Sequence, residues 1–311
     1  MPIIRKQSLP YNEYVLLIVT LVIIRHIVLT TKPELVFSGY VFMFVIGFSI
    51  SYYVSRNVHI ATVIGLLMVY GRMIYRYLTP LNVLSDYAGP RNTFIFTVGI
   101  ISIIALSHFL KTVRNTTIIE YVLYFMLIYL QASMIEWVLH KYIMHCYAYW
   151  PWLHKSTSND FITSNMRISC QFHQEHHMSV KNDMTLKHET HENSLIFTWE
   201  TLLMVLVIGL VLSYVVTKIL NLRIPLMTQI IALVVLTILY GIIWNNIHPR
   251  MHDTSVQLPL HKGPGDINMR YNDILYENHK LHHIIKGEEK GNFNVVFLGM
   301  DELMMTNNLG R

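Results

Sequence analysis

Apolar runs long enough to cross a bilayer recur through the first four-fifths of this chain, and a polar tail follows them. A spanning helix needs about 20 predominantly apolar residues. Seven runs meet or approach that length: 14–30, 35–54, 58–78, 93–110, 117–139, 195–217 and 224–247. The third is the weakest, because Arg72 and Arg76 crowd its end. Pro80, Gly89 and Pro90 mark a loop after it, and Lys111 and Arg114 form a short basic connection before the fifth. Two polar segments remain, 140–193 and 248–311. The last two runs are joined by a short turn around 218–225, so they read as a hairpin that leaves one face of the membrane and returns to it. The pattern predicts an all-α, polytopic integral membrane bundle. An N-terminal region, 1–116, carries about four spans. A second region, 117–311, carries three spans and a helical cap made of 140–193 and 248–311.

Composition agrees with this reading. The chain is 53% apolar and 14% charged, against about 25% charged in ordinary soluble domains. The net charge is +5, and 12 of the 24 Lys and Arg lie in the two polar segments, which reads as membrane topology bias rather than a nucleic-acid footprint. The same bias points the polar cap to the cytosol. The opening residues, Met1 to Lys6, do not lead into a small-residue cleavage site, so no cleaved signal peptide is expected. Trp137, Trp150, Trp152, Trp199 and Trp244 fit an interfacial aromatic belt. Cys146 and Cys170 are too few for a disulfide framework or an all-cysteine zinc site, and their place beside histidine clusters is read as a reducing face.

Histidine placement carries the chemistry. Ten of the 17 histidines fall in four boxes at the ends of apolar runs: His140 and His145; His173, His176 and His177; His248 and His252; His279, His282 and His283. On a helix, residues three and four apart share a face. The second and fourth boxes fit that spacing, and so does the His248–His252 pair. Pro249 fits a first helical turn, so a new helix is expected to start near it. His140 and His145 are five apart and diverge on a straight helix, so the helix there must end, bend or bulge. The hairpin returns the third and fourth boxes to the side where the first two lie. Imidazole suits zinc, copper and iron. Ten histidines exceed one four-coordinate zinc and match two metals with four or five nitrogens each. Ligand histidines need partners for their second nitrogen, and Glu136, Glu175, Asp273, Glu277 and Asn278 are candidates by proximity. His154, His188, His191, His26, His59, His108 and His261 read as structural or surface residues. Tyr271 and Tyr276 are candidate lining for a lipid tunnel.

The succession His-x4-His, His-x2-His-His, His-x3-His, His-x2-His-His resembles the fatty acid hydroxylase and sterol desaturase superfamily of membrane di-iron oxygenases, with spacing closest to the fatty acid 2-hydroxylase type. Asn292-Phe293-Asn294 and Met300-Asp301-Glu302-Leu303-Met304-Met305-Thr306 resemble that family's motifs after the last box, with the Gly, Trp and Phe positions changed. The resemblance covers about 117–306 and rests chiefly on the four boxes taken in order. It implies two iron ions (zinc being able to substitute) held by the ten histidines, and O2 as co-substrate. It further implies a fatty acyl, sphingolipid or sterol substrate that is hydroxylated or desaturated, and an external electron donor such as cytochrome b5 and its reductase. The location implied is the endoplasmic reticulum or an equivalent internal membrane. No His-Pro-Gly-Gly haem motif is present. Two other classes stay open: a zinc-dependent membrane hydrolase with Glu175 as base, and a histidine-rich metal transporter or sensor.

Overall fold

The structure is a computed structural model. It describes residues 19–24, 36–78, 90–112, 116–187, 197–252, 267–285 and 291–308. These are helical with short connections. Among them there is no β-strand, only an isolated bridge between Val180 and Leu186. The all-α expectation holds, and five helices are long and apolar enough to cross a membrane. The first expected run lies outside the described residues except for the helical stretch 19–24, and His26, His188, His191 and His261 lie outside them too. The chain divides into two compact units, Met1–Ile119 and Glu120–Arg311.

In the first unit, α1 (Val36–Ser55), α2 (Val58–Leu78) and α3 (Pro90–Thr112) are the described long helices. The α1–α2 junction is written locally. Arg56 adopts a left-handed φ of 56° and stops α1. The Asn57 side chain then accepts hydrogen bonds from the His59 and Ile60 amides, at 2.9 and 3.2 Å, and starts α2. The two helices meet at glycines: a Cβ on Gly65 would sit 2.9 Å from the Phe44 ring, and one on Gly47 would lie 3.2 Å from the Gly65 Cα. Small residues let spanning helices approach closely. Lys111, at the end of α3, donates to the Val54 carbonyl at 2.9 Å, where a helix C-terminus favours a cation. The third apolar run, weakest by sequence, is helical throughout. Val58–Tyr75 supplies its spanning stretch, short of Arg76.

In the second unit, α4 (Thr116–Val138) runs on without a break into a π-helical turn, Leu139–Met144. Two short helices follow, α5 (Cys146–Tyr149) and α6 (Pro151–Lys155), and then α7 (Phe161–Ser179). The hairpin is α8 (Trp199–Ile219) and α9 (Leu226–Arg250), and the tail supplies α10 (Ile267–Ile284) and α11 (Met300–Leu303). α9 corrects one expectation: no new helix starts at Pro249, which lies in the last turn of α9. A proline in a last turn removes one hydrogen bond and stops the helix soon after, rather than nucleating another.

Polar side chains bind α4 to the hairpin. Tyr124 Oη and Ser213 Oγ lie 3.1 Å apart, and Ser213 donates to Gln229 Oε1 at 3.1 Å. Gln131 Nε2 donates to the Gly209 carbonyl at 2.7 Å. Such interhelical bonds contribute about 0.6 kcal/mol each in a bilayer. The opposite faces of α8 and α9 show Val207, Val211, Ile231, Val235 and Ile238 to the outside, as lipid-facing surfaces do. At the hairpin turn, the buried Glu120 carboxylate accepts from the Arg223 amide at 2.7 Å and from its guanidinium at 3.0 and 3.1 Å. The Arg223 side chain is 76% exposed, so solvent screens the pair. We expect Glu120→Gln to lower the melting temperature by an amount equivalent to about 1 kcal/mol. Bound metal should be unchanged, because Glu120 and His140 sit on α4 and its continuation about 30 Å apart. Thermal unfolding in detergent, read beside metal content, checks both.

Candidate metal centre

All ten boxed histidines come together in the second unit, in two groups. His140, His145, His173, His177 and His282 form the first; His176, His252, His279 and His283 form the second. Within each group the candidate ligand atoms lie within 4.8 Å of one another. His248 joins the second through Nε2, 3.1 Å from Nε2 of His279. The groups adjoin: the rings of His177 and His283 are 4.2 Å apart between centroids.

The first box, which a straight helix would splay, converges because of the π-turn. The His145 amide donates to the His140 carbonyl at 3.1 Å, five residues back. That wider turn stacks the two rings with centroids 5.3 Å apart and planes 16° from parallel. On α7, His173, His176 and His177 project from one end of a helix capped by Asp160, which accepts from the Thr163 amide at 2.9 Å. The hairpin delivers His248 and His252 to the same place, as its topology requires, and α10 supplies the last trio.

Spacing tests whether a metal fits. In the first group, Nε2 atoms of neighbouring rings lie 3.0–3.1 Å apart along the chain of contacts His140–His173–His145–His282–His177. In the second, His279 Nε2 lies 3.1 Å from those of His248, His252 and His283. Nitrogens about 2.1 Å from a common ion stand about 3.0 Å apart at right angles and about 3.4 Å apart in a tetrahedron. The observed spacing fits right-angled, five-nitrogen coordination, and two sites of that kind account for all ten rings. Both groups can hold a metal ion.

The electrostatics agree. Burial is the main cause that depresses the His177, His279 and His283 imidazoles well below their ordinary value, with neighbouring histidines adding to it. His252 falls to about 4 through burial, opposed by its bond to the Met184 carbonyl. Neutral imidazole is the form that binds metal.

The partners of the second ring nitrogens differ from the sequence expectation. For three of the ten, backbone carbonyls take that place. His140 Nδ1 lies 2.6 Å from the Phe293 oxygen, His282 Nδ1 lies 2.8 Å from the Gly291 oxygen, and His252 Nδ1 lies 2.9 Å from the Met184 oxygen. An Nδ1–H given to a carbonyl leaves Nε2 as the inward lone pair. Of the acids expected in that position, Glu175 and Glu277 are exposed. Glu136 is buried, and instead accepts from the Val295, Val296 and Phe297 amides at 2.8–3.1 Å. Asn278 donates to the Asn294 carbonyl at 2.6 Å. Both therefore act one step further out, on the loop that presents the carbonyls.

That loop, 291–308, is the part sequence reasoning undervalued. Asp301 accepts from the Phe293 and Asn294 amides at 2.9 and 2.6 Å and from the Thr306 hydroxyl at 2.6 Å. Burial raises the Asp301 carboxyl to about 6 against those bonds. Ser133, not singled out from sequence, accepts from the Met300 amide at 2.9 Å. The Phe293 ring packs on His140, His145 and His282 at 5.6–5.8 Å. The motif Asn292-Phe293-Asn294 with Asp301 and Thr306 was the available signal. Of the remaining expectations, His154 stacks on Tyr147 away from both groups, at 4.4 Å. Tyr271 donates to the Val296 carbonyl. Trp137 and Trp244 are buried rather than interfacial, and Trp244 packs on His248 at 4.8 Å.

Cys146 and Cys170 form a disulfide, with Cα atoms 5.8 Å apart, in a buried apolar cluster with Ile143 and Leu153. This is at odds with the reducing face expected from sequence, since disulfides persist in oxidising surroundings. The pairing follows from α7 packing along the π-turn, which sets Cys170, one turn before His173, beside Cys146, one residue after His145. It ties the first box to the second.

Three outcomes follow. In Gly291→Ala the new Cβ would lie 1.9 Å from the Thr306 carbonyl oxygen. That displaces the His282 partner, and metal affinity should fall about 10- to 100-fold, while His154→Ala keeps it; equilibrium dialysis with a chelator reads both. Maleimide should label neither cysteine in denatured, unreduced protein and both after reduction. Cys146→Ser should destabilise the fold by about 3 kcal/mol, read by thermal unfolding. Comparison of the chain with protein-family models, with curated proteins and with solved structures finds no match.

Proposed function

We propose that this chain is a membrane-bound, O2-dependent lipid oxygenase with two irons, of the fatty acid hydroxylase and sterol desaturase type. The observation that carries the reading is the division of ten histidines, nine of them buried, into two adjoining nitrogen-only groups beside the ends of two helices able to cross a membrane. A hydrolytic zinc site keeps an open position beside a base, and the one acid that reading named, Glu175, is exposed on α7.

Two bound irons would supply the redox chemistry that breaking an unactivated C–H bond requires. The protein does the rest. The ten histidines hold the ions. The Phe293, Gly291 and Met184 carbonyls keep His140, His282 and His252 in the ligating tautomer. Phe293 and Trp244 pack against the His140 ring. Beside them, α4, α8 and α9 enclose a small pocket of about 20 Å³ lined by Ile128, Gln131, Ile135, Glu136, Leu233 and Tyr240, too small as it stands for an acyl chain. Hydroxylation takes one O2, two electrons and two protons to insert one oxygen and release one water. The electrons come from an external donor of the cytochrome b5 and reductase kind. The reading includes an internal membrane such as the endoplasmic reticulum.

Protein purified in detergent from iron-supplied cells should carry about two irons per chain. His282→Ala should lose metal and activity together. Lipids from cells making the wild type should gain products heavier by one oxygen atom or lighter by two hydrogens. Well-folded protein that binds no metal, or full activity in His282→Ala, would sink the assignment.

A further inference from the structure

The segment α5–α7 leaves an apolar surface that the metal centre does not use. Tyr147, Trp152, Phe161, Ile162, Ile168 and Phe172 are all exposed, Trp152 and Phe161 by 55% each. On α7 these positions are ordered. Met166, Cys170, His173 and His177 fall on one face, towards the disulfide and the first histidine group. Phe161, Ile168 and Phe172, spaced by seven and four residues, fall on the opposite face. A cap helix bathed in water on that side would be polar there.

Three features identify what covers this surface. Connectivity comes first: Tyr147 follows a membrane-crossing helix that ends at Met144, so the patch begins within a few residues of the bilayer boundary. The disulfide and the bonds from the Arg167 guanidinium to the Ser156 and Ser158 carbonyls hold the N-terminal half of α7 alongside α5 and α6. Charge comes second. Residues 146–172 carry only Lys155, Asp160 and Arg167 as charged side chains, where a water-facing stretch of that length would carry about seven. The next twenty residues carry Glu175, Lys181, Asp183, Lys187, Glu189 and Glu192. The change from apolar to charged falls within α7, between Phe172 and Glu175. Residue type comes third: tyrosine and tryptophan, with uncharged Ser, Thr and Asn between them, suit the headgroup level of a bilayer.

We infer that the outer face of α5–α7 lies in the interfacial layer of the bilayer, with its occupant the lipid of the leaflet that α4 has just left. The histidine-bearing end of α7 then rises out of that layer. The cap is anchored beside the site rather than suspended over it. This does not depend on the reaction proposed above.

The test is nitroxide accessibility in full-length protein in phosphatidylcholine–phosphatidylserine nanodiscs. Ile168→Cys and Phe172→Cys are spin-labelled without reductant, and Glu277→Cys, exposed on α10, serves as the aqueous control. Metal content confirms that each variant is folded, and Phe161→Cys replaces any that is not. Collisions with O2, which partitions into lipid, should exceed those with a water-soluble nickel chelate at both test sites, with a ratio several-fold above that at Glu277. A nickel-favoured label at either site means an aqueous face and overturns the inference. Labels shielded from both reagents mean that protein covers the patch, a second copy or another segment, and overturn it equally.

Discussion

Ten imidazoles can share one buried site only if each is neutral and turns a lone pair inward. Burial makes them neutral, depressing the rings of His177, His279 and His283. Turning the lone pairs inward is harder, because nitrogens 3.0–3.1 Å apart repel unless a cation stands among them. The surroundings must hold the rings in place against that repulsion. Much of the second unit is organised to do so, through the π-turn, the hairpin and the loop 291–308.

The loop shows how far from the rings this support extends. Glu136 and Ser133 on α4 hold the backbone of residues 295–300, and Asp301 closes the loop on itself through the Phe293 and Asn294 amides. The carbonyls of Gly291 and Phe293 are thereby aimed at His282 and His140. A carboxylate that anchors a backbone fixes a metal ligand as firmly as one that touches it, and the anchoring carboxylate can then stand well back from the ion. This also explains why Gly291 has no room for a side chain.

A membrane setting makes these bonds more demanding. Helices in lipid gain little from burying apolar surface against one another. The second unit accordingly joins α4, α8 and α9 with Tyr124, Gln131, Ser213 and Gln229, and ties the turn between the hairpin helices to Glu120. These contacts fix where α9 ends, and so where His248 and His252 arrive.

The sequence by itself determined the class of fold and which histidines gather. Apolar runs of spanning length and histidines at i, i+3 and i+4 are local patterns, and local patterns are written in the chain. All ten histidines expected from them meet. What the sequence left open were matters of two or more segments at once. The five-residue step from His140 to His145 demanded a bulge, but only packing against α7 shows it to be a π-turn. Partners for the second ring nitrogens were sought among nearby acids, yet they are carbonyls of residues 184, 291 and 293, which have no side-chain signature. The Cys146–Cys170 bond joins residues 24 apart in sequence that lie side by side only once α7 has folded back along the end of α4. Backbone partners and cross-links depend on where the chain goes, and tertiary structure alone decides that.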